Sequence, residues 1–399
     1  MIQKSGMGGA PFIIIGAGQA AAQAAASLRS EGFGGEIHLF GDEPHLPYQR
    51  PPLSKTFLAG EIGTEKLELR PRAFYDDQKI ALHLSTRITA IDPADHTVES
   101  SEGERLPYSR LLIATGTRPR PLDMPGDGLA GVHFIRAISD VEHFRAAFKP
   151  GARLVVIGGG YIGLEVAAKA RAKGLDVTVL ESQSRILARA LAPQTAAYLA
   201  ELHHENGVRI LTDVTVAALE GSEHIEAVRL GDGTRLPADI LLIAIGAVPN
   251  AELAVAAGLA TGNGIIVDTE TRTSAPDIFA AGDVACFPSR LFGRNLRVES
   301  VPNAIDMAKA AATAMLGMPV SYDPVPWFWS DQYATKLQIA GLSQGYDRVE
   351  CEGSYPEGRL VVRYFAGDRL LAVDTINDAR NHMLARRALA EQIKGPASG

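Results

Sequence analysis

The chain has 399 residues, more than one ordinary domain core holds, so two or three domains are expected. Its 46% hydrophobic and 21% charged residues are typical of a soluble globular protein. The formal net charge of −7 argues against nucleic-acid binding, and no apolar run reaches the ~18 residues that would span a bilayer. We therefore expect neither a nucleic-acid partner nor a membrane partner.

The cysteines and the N-terminal composition bear on compartment and redox chemistry. Cys286 and Cys351 form neither a CxxC nor a CxxxxC pair, so no dithiol relay is predicted. The first ten residues contain one Lys and no apolar core, so no signal peptide is expected. Sparse cysteine suits a reducing compartment, and we expect a cytoplasmic protein without a metal site.

The first predicted elements are a strand, a glycine-rich turn, a helix and a second strand, in that order. The strands are Phe12–Ile15 and Ile37–Phe40, and the helix runs over Gln19–Ser30. Between the first strand and the helix lies the segment Gly16-Ala17-Gly18-Gln19-Ala20-Ala21. This order is typical of a dinucleotide-binding unit.

Each small residue of such a turn has a physical task. Gly16 permits the tight bend, Gly18 lets a pyrophosphate approach the backbone, and Ala21 packs the helix on the strand. The phosphates then lie at a helix N-terminus, where free N–H groups favour anions. Asp42 follows the second strand at close to the ~20-residue spacing at which an acid holds a ribose hydroxyl.

A second copy of this pattern lies about one domain length further along the chain. The strand Leu154–Ile157 precedes Gly158-Gly159-Gly160-Tyr161-Ile162-Gly163. A helix then runs through Lys173 to a stop at Gly174, and the next strand covers 177–180. Two such turns in one chain predict two nucleotides and electron transfer between them.

The acid of the second copy bears on the choice of nicotinamide nucleotide. Glu181 follows the strand as Asp42 does in the first copy. A carboxylate there accepts from a ribose 2′-hydroxyl and repels a 2′-phosphate, which favours NADH over NADPH. Arg185 and Arg189 leave the alternative open, because a basic residue can hold that phosphate, although solvated charge is their simpler interpretation.

Two further apolar runs share one sequence pattern. Each follows a Leu-Pro dipeptide and ends in glycine, and they are Leu111-Leu112-Ile113-Ala114-Thr115-Gly116 and Leu241-Leu242-Ile243-Ala244-Ile245-Gly246. The shared pattern predicts two copies of one architecture, with both runs as core strands that end at crossovers. Asp232-Gly233 is predicted to be a hairpin turn.

The remainder of the chain departs from this pattern. A short apolar strand leads into Gly282-Asp283, and a helix over 303–316 begins near a possible N-cap, Ser300, with Pro302 in its first turn. From Tyr322 onward, Trp327 and Trp329, short alternating stretches and a basic helix over 378–394 predict a separate α+β domain.

These motifs together resemble the FAD-dependent NADH:ferredoxin reductases of bacterial haem monooxygenases and aromatic-ring dioxygenases, relatives of putidaredoxin reductase with the glutathione reductase fold. The resemblance runs from Ile13 to the final helix. Its specific motifs are the run from Pro47 to Lys55, Ala114-Thr115-Gly116, Gly158 to Glu165, Gly282-Asp283, Glu299 to Asn303 and Trp327 to Asp331.

The resemblance implies an α/β protein of two Rossmann-like, glutathione reductase-type dinucleotide-binding domains and a C-terminal α+β domain. It implies FAD binding by residues 1–117 and 248–321, NADH binding by residues 118–247, and a C-terminal domain over residues 322–399. The FAD contacts it implies are Gly16, Gly18, Ala20, Ala21, Asp42, Arg50, Lys55, Ala114, Thr115, Gly116, Asp283, Val301 and Trp329. The NADH contacts are Gly158, Gly160, Tyr161, Ile162, Gly163, Glu181, Arg185 and Gly246.

The catalytic residues implied are Lys55, Glu165 and Trp329. In the family, the matching Lys and Glu form an ion pair beside flavin N5, the atom that takes the hydride, and the Trp flanks the nicotinamide pocket. From the sequence alone, Glu165 is an exposed helix residue and each Trp is a core residue. Helix 303–316 is implied to direct its N-terminus at the flavin, and Tyr161 to cover the flavin until nicotinamide displaces it.

The implied partner is an acidic 2Fe–2S ferredoxin. A basic docking patch on this acidic chain would use Arg290, Arg294, Arg297, Lys309 and Lys336, although each is by itself a common solvated charge. Alternatives within the fold are a rubredoxin reductase and an NADH oxidase. An alternative of another class is a slowly turning over FAD/NADH redox sensor.

Overall fold

The structure is a computed structural model that describes residues 9–394. It divides into two compact units, and neither is a continuous stretch of chain. The first unit contains the residues up to Gln49 together with Leu67–Arg118 and Pro249–Pro326. The second contains Arg50–Lys66, Pro119–Val248 and the residues from Trp327 onward. Within residues 9–394, no helix is both long and apolar enough to cross a bilayer.

The strands are numbered in chain order. They are β1 Phe12–Ile15, β2 Ile37–Phe40, β3 Ile80–His83, β4 Ile88–Asp92, β5 Thr97–Ser100, β6 Arg105–Pro107, β7 Arg110–Ile113, β8 Thr117–Pro119, β9 Val132–His133, β10 Arg153–Ile157, β11 Asp176–Leu180, β12 Arg209–Leu211, β13 Val216–Glu220, β14 Ala227–Leu230, β15 Arg235–Pro237, β16 Ile240–Ile243, β17 Ala247–Pro249, β18 Thr261–Gly262, β19 Gly264–Ile266, β20 Ile278–Ala280, β21 Ala285–Ser289, β22 Arg294–Leu296, β23 Trp327–Gln332, β24 Thr335–Gly341, β25 Arg348–Ser354, β26 Arg359–Ala366 and β27 Arg369–Ile376.

The α-helices follow the same numbering. They are α1 Gln19–Ser30, α2 Arg72–Asp77, α3 Ile138–Ala146, α4 Tyr161–Ala172, α5 Pro193–Glu205, α6 Glu252–Ala256, α7 Val301–Met315 and α8 Ala379–Lys394. A short 3-10 helix covers Pro51–Ser54.

The first unit is built on a parallel sheet in the order β20-β7-β1-β2-β3. All four residues of β1 are buried, as expected of a parallel strand covered on both faces. Helices α1 and α7 pack against each other, and the buried alanines on both permit a close approach. The glycine turn Gly16–Ala21 therefore leaves the carboxyl end of the central strand, where ligands of such sheets bind.

The second unit contains a parallel sheet in the order β12-β11-β10-β16-β9. Its strands β12, β11, β10 and β16 correspond to β3, β2, β1 and β7, whereas the outer strand β9 precedes β10 in the chain and β20 follows β7. The strand with the second glycine turn, β10, occupies the position that β1 holds in the first sheet. The predicted core strands β7 and β16 lie beside β1 and β10, so the expected repetition of one architecture is confirmed. Asp232-Gly233 joins β14 to β15, and Gly233 has φ 88°, which confirms the predicted hairpin turn.

The C-terminal part of the second unit is an antiparallel sheet in the order β23-β24-β27-β26-β25, with α8 packed on β24 and β27. A shared core joins this sheet to α4 and α5 and includes Leu164, Leu199, Val362 and Tyr364. The predicted α+β character of this part is confirmed, and the predicted α/β class holds for the sheets that carry the glycine turns.

The predicted division into three domains remains a prediction. The compact units group the segment expected to bind NADH with the C-terminal segment. They also place Arg50–Lys66 in the second unit, whereas the prediction assigned those residues to the FAD-binding segment. The reason is local packing: the 3-10 helix Pro51–Ser54 contacts α3 and α4.

Candidate functional site

The first glycine turn has the backbone geometry that the sequence predicts. Gly16 has φ +118°, and a Cβ there would lie 2.2 Å from the carbonyl oxygen of Ala114. Only glycine can therefore occupy this position. A Cβ on Gly18 would meet nothing within 4 Å, so this turn has the free space above its backbone that an approaching pyrophosphate needs.

The second turn repeats this geometry. Gly158 has φ +110°, and a Cβ there would lie 2.4 Å from the carbonyl oxygen of Ala244. A Cβ on Gly160 would meet only that same oxygen, at 4.0 Å, whereas one on Gly163 would lie 2.3 Å from the Gly158 oxygen. The segments Ala114–Gly116 and Ala244–Gly246 thus have similar sequences because each packs its backbone against the first glycine of a turn.

The two acids that follow β2 and β11 differ in register. The backbone N–H of Glu181 donates to Leu211 O at 2.8 Å, and in the first sheet the matching bond to His83 O, at 2.9 Å, comes from Gly41 rather than Asp42. A Cβ on Gly41 would lie 2.4 Å from the Ala17 Cβ, which explains why the acid is displaced by one residue.

Their surroundings also differ. The Asp42 side chain is 54% exposed and forms an ion pair with Arg87 at 2.8 Å. The buried Glu181 carboxylate accepts from the backbone N–H of Gly159 at 3.0 Å and of Gln183 at 2.8 Å. Glu181 therefore sits at the mouth of the second turn with its carboxylate oriented by the main chain.

The basic residues near Glu181 separate in the structure. The half-buried guanidinium of Arg185 donates to the carbonyl oxygens of Ala188 and Leu191, at 3.3 and 2.9 Å. Arg189 is exposed. The simpler interpretation of Arg185 as a solvated charge is therefore wrong, because its donors hold the loop after β11. Its predicted NADH contact stays a prediction.

The structure brings Lys55 and Glu165 together as a buried ion pair. The Lys55 Nζ atom lies 2.6 Å from Glu165 Oε2, with the side chains 15% and 4% exposed. The predicted exposure of Glu165 from the helix pattern is thus wrong, because α4 packs that face against the 3-10 helix of Pro51–Ser54 and against β23. Two hydroxyls also donate hydrogen bonds to the Glu165 carboxylate: Ser54 Oγ donates to Oε2 at 2.5 Å, and Ser330 Oγ donates to Oε1 at 2.6 Å.

Strand alternation explains why Ser330, and not Trp329, meets Glu165. Neighbouring side chains of a strand point to opposite faces, so Ser330 shares a face with Phe328 and Gln332. Trp329 lies on the other face and contacts Trp327 at 5.7 Å between ring centres. Trp327 in turn packs on His382 and on the Arg386 guanidinium of α8. The predicted catalytic Trp329 is therefore outside this hydrogen-bonded cluster, and its role stays a prediction.

The cluster continues away from Glu165 through residues that the sequence did not reveal. Gln332 Nε2 donates to Ser330 Oγ at 3.2 Å, and Gln332 Oε1 lies 2.8 Å from His203 Nε2. His203 is fully buried on α5, and burial lowers its pKa to about 4. The available sequence signal was the two-residue spacing of Ser330 and Gln332, which places two polar side chains on one face of β23.

Tyr161 contacts the C-terminal sheet. Its ring lies 4.5 Å from that of Phe328, centre to centre, and burial raises the pKa of its phenol well above the usual range. Ile162 beside it is 47% exposed. The predicted covering of the flavin by Tyr161 stays a prediction.

The remaining FAD candidates are held by specific contacts. Arg50 Nη1 donates to the Arg136 carbonyl oxygen at 2.5 Å, and the Thr115 hydroxyl donates to Asn250 O at 2.7 Å. Asp283 lies in the 3-10 helix Gly282–Val284, which follows β20. Ser300 is confirmed as the N-cap of α7, because its hydroxyl accepts from Asn303 N at 3.2 Å, with Val301 the first helical residue.

The predicted basic docking residues are not equally accessible. Lys309 and Arg290 have side chains 53% and 70% exposed, although each contacts an acid, Asp306 and Asp323 respectively. Arg294 and Lys336 are exposed. The Arg297 side chain is only 9% exposed and binds Glu299, Asn263 Oδ1 and the Asp283 carbonyl, so its prediction as a docking residue is wrong.

Comparison with known proteins identifies the family. Residues 10–308 match the model of the pyridine nucleotide-disulphide oxidoreductases, and residues 327–398 match the reductase C-terminal domain. The chain belongs to the pyridine nucleotide-disulphide oxidoreductase family. This confirms the predicted class of enzyme, an oxidoreductase with FAD and NADH as cofactors.

Individual members of the family are similar over most of their length. Rhodocoxin reductase of Rhodococcus erythropolis is 44% identical over 96% of this chain and 90% of its own. The ferredoxin–NAD(+) reductase component of the anthranilate 1,2-dioxygenase system of Burkholderia cepacia is 40% identical over 98% of both chains. The reductase in the crystal structure of the covalent putidaredoxin reductase–putidaredoxin complex aligns with TM-score 0.93 and 42% identity over 96% of this chain and 93% of that chain. The resemblance to ferredoxin reductases is thereby confirmed.

This member of the disulphide oxidoreductase family has no redox dithiol. Cys286 is buried in β21 of the first unit, and Cys351 is exposed in β25 of the second. Desolvation raises the pKa of both thiols, through burial of Cys286 and partial covering of Cys351, which disfavours the reactive thiolate. The described residues also hold no group of three or more His, Cys, Asp or Glu placed to bind a metal ion.

The two turns fit the cofactors of the family. There is open space where a Cβ on Gly18 or on Gly160 would stand, and each turn precedes the N-terminus of an α-helix. FAD and NADH both carry the pyrophosphate that this geometry accepts.

Proposed function

We propose that this protein transfers electrons from NADH through FAD to a 2Fe–2S ferredoxin that supplies a haem monooxygenase or an aromatic-ring dioxygenase. The relatives support this acceptor, because they include a reductase component of a dioxygenase system and a reductase captured with putidaredoxin. We place the reaction in the cytoplasm, in keeping with the sparse cysteine. The first turn is assigned to FAD and the second to NADH.

The buried Lys55–Glu165 pair is the observation that carries the proposal. Helix α4 starts at Tyr161 directly after the second glycine turn, so Glu165 lies four residues, about 6 Å along the axis, from its start. A nucleotide pyrophosphate at that N-terminus is therefore one helical turn from a desolvated ion pair. Buried ion pairs are weak evidence for stability and are common at functional sites.

In this proposal the protein's own residues bind the cofactors and orient the charged groups around them. FAD, when bound, takes two electrons from NADH and gives them up one at a time, which no side chain can do. Lys55 supplies a fixed positive charge, and Glu165, Ser54 and Ser330 fix its position. Glu181 selects the nucleotide through the ribose 2′-hydroxyl, and the capped N-terminus of α7 contributes a dipole that stabilises nearby negative charge by ~1 kcal/mol.

The test offers acceptors to the reduced protein. The purified holoprotein is reduced anaerobically with one equivalent of NADH, then mixed with a 2Fe–2S ferredoxin, a rubredoxin or dioxygen. Reduction of each iron protein is followed by its own visible spectrum, and reduction of dioxygen by the return of the oxidised flavin spectrum. We expect fast bleaching of the ferredoxin only. Preferred reduction of rubredoxin or dioxygen would favour the alternative acceptors, and slow turnover with all three would favour a redox sensor. A protein that stays colourless after incubation with FAD would contradict the proposal altogether.

A further inference from the structure

A single hydrogen-bonded chain runs through the second unit from α5 to the Lys55–Glu165 pair. Its links are His203 to Gln332 at 2.8 Å, Gln332 to Ser330 at 3.2 Å, and Ser330 to Glu165 at 2.6 Å. The exposed fractions of His203, Gln332, Ser330 and Glu165 are 0%, 1%, 0% and 4%. All four residues of this series of hydrogen bonds are therefore shielded from water.

The donors along this chain all point the same way. Gln332 presents its amide oxygen to His203 and its amide nitrogen to Ser330, so His203 Nε2 must carry a hydrogen and donate it. The Nδ1 atom of that tautomer is an acceptor, and within the described residues it has no hydrogen-bond partner. Because the Ser330 oxygen already accepts from Gln332, its own proton is directed at Glu165 Oε1.

This direction gives the chain a use. Hydrogen bonds in a buried series polarise one another and fix the rotamers of their members. Ser54 and Lys55 hold Glu165 Oε2, and Ser330 holds Oε1. Ser330 is held in turn by Gln332, which is held by His203. Lys55 Nζ, bound to the opposite carboxylate oxygen at 2.6 Å, follows wherever Glu165 is placed.

We infer that His203, Gln332 and Ser330 are positioning residues that set the place of the Lys55 ammonium group through Glu165. The inference deepens the proposed function, since it rests on Lys55 lying beside the flavin. None of the three residues needs to touch a cofactor for it to hold. It makes α5 and the C-terminal sheet part of the electron-transfer site.

The experiment measures Lys55 directly. The purified holoprotein is exposed briefly to an amine-acylating reagent, and the modified fraction of Lys55 is quantified by mass spectrometry, with exposed Lys149 as the internal standard. An ammonium held in an ion pair resists acylation because the reagent attacks the free amine. We expect Ser330→Ala and Gln332→Leu to raise Lys55 labelling by roughly threefold to tenfold, the range that one net hydrogen bond supplies.

Helix α5 offers a matched control. Thr195 on the same helix donates to Asp374 Oδ2 of the same sheet at 2.8 Å, but this contact does not lead to Glu165. Thr195→Val should therefore disturb α5 to a similar degree and leave Lys55 labelling unchanged. If Thr195→Val raised labelling as much as Gln332→Leu, a general loosening of the unit would explain the result, and the inference would be overturned.

His203 supplies a rescue test and Ser330 a coupling test. His203→Gln keeps an N–H donor toward Gln332, whereas His203→Met removes it, so only the Met variant should raise labelling. The double variant Ser330→Ala/Gln332→Leu should label no faster than Ser330→Ala alone, because both changes break the same chain. Equal labelling of the two His203 variants, or additive effects in the double variant, would overturn the inference.

The labelling experiment and the acceptor test of the proposed function can fail independently of each other. Labelling needs no electron acceptor, so it reports on the positioning chain even if ferredoxin is not reduced. If Gln332→Leu fails to fold as a flavoprotein, Ser330→Ala and the two His203 variants carry the test. Absent ferredoxin reduction with the expected labelling pattern would overturn only the proposed function.

Discussion

Asp374 is a buried acid of β27, and its negative charge lowers the stability of the folded state. It is 2% exposed, and its Oδ2 atom accepts from Thr195 Oγ1 at 2.8 Å and from Tyr364 Oη at 2.6 Å. Burial raises the pKa of Asp374 to about 6, while the hydrogen bonds from Tyr364 and Thr195 lower it. The acid therefore binds its proton more tightly in the folded state than in the unfolded chain.

The first prediction follows from that shift. Between the unfolded pKa near 3.8 and the folded value of about 6, the folded state holds more protons, so the free energy of unfolding falls as pH rises. Asp374→Asn removes the titration and keeps an oxygen for both hydroxyls. From pH 4 to pH 7 we expect the free energy of unfolding of wild type to fall by about 2.4 kcal/mol relative to that of the variant.

The measurement is urea unfolding of both proteins at several pH values. Other titrating groups are common to both proteins and cancel in the difference. A difference between the two proteins that does not change with pH would show that Asp374 has its ordinary pKa in the folded state. A difference that changes in favour of wild type as pH rises would show that folding lowers this pKa, and either result would contradict the prediction.

Glu181 gives a second prediction at the scale of a single residue. Glu181→Gln keeps the size of the side chain and one carbonyl oxygen but removes the charge that repels a 2′-phosphate. We expect the ratio of kcat/KM for NADH to that for NADPH to fall about tenfold, or about 1.4 kcal/mol. The control is Arg189→Ala, at an exposed site, which should leave the ratio unchanged. A ratio that stays unchanged in the Glu181 variant and rises in the Arg189 variant would show that the arginine, and not the acid, governs the choice of nucleotide.

The helices that follow the two glycine turns differ in the size of side chain that they accept at equivalent positions. The third small residue is Ala21 in one turn and Gly163 in the other, and both are buried. In the second turn a Cβ would also lie 3.1 Å from Val156 Cγ1, besides its close approach to the Gly158 oxygen. Helix α4 thus approaches β10 so closely that only glycine fits between them.

Two alanine substitutions in this turn should therefore behave differently. Gly160→Ala places a methyl group in open space reserved for the nucleotide, so we expect the Kd for NADH to rise about tenfold with unchanged melting temperature and flavin content. Gly163→Ala forces the helix from the strand and should cost about 1–3 kcal/mol of stability.

Titration with NADH and thermal unfolding measure the two effects separately. Each variant serves as the control for the other, because the substitutions are chemically identical. Loss of stability in Gly160→Ala without loss of NADH affinity would contradict the assignment of this turn to the nucleotide.

At the scale of the whole molecule, an acidic protein must still attract a ferredoxin. The net charge of −7 repels an acidic partner at long range, so docking depends on local basic residues. In the first unit, Lys309 on α7 has its side chain 53% exposed, and its contact with Asp306, at 3.4 Å, is a surface ion pair of small energy. Its charge therefore remains available to a partner.

The corresponding prediction concerns association rate. Lys309→Glu should slow ferredoxin reduction about tenfold at low salt, with the effect shrinking as ionic strength rises, while NADH-driven flavin reduction stays unchanged. Stopped-flow measurement of both half-reactions checks this. Lys149→Glu makes the same charge change at another exposed site and should have little effect. Equal slowing by both variants would indicate that net charge alone, and not a patch, governs docking.

Local patterns determined what the sequence could reveal. The glycine turns, the strands at Phe12–Ile15 and Ile37–Phe40, helix α1 and the cap at Ser300 were predicted because each depends on neighbouring residues: a positive φ, an apolar run or a short side chain beside a free N–H. The family followed from motifs of the same local kind.

Tertiary structure alone decided which side chains meet. Glu165 is covered by Lys55 and Ser330, the largely buried side chain of Arg297 binds Asn263, and His203 meets Gln332. Each of these contacts joins residues far apart in sequence. No local periodicity encodes such contacts, because the environment of a polar side chain is set by the elements that pack over it. A helix pattern shows which face is polar, but only packing shows whether that face meets water or a partner.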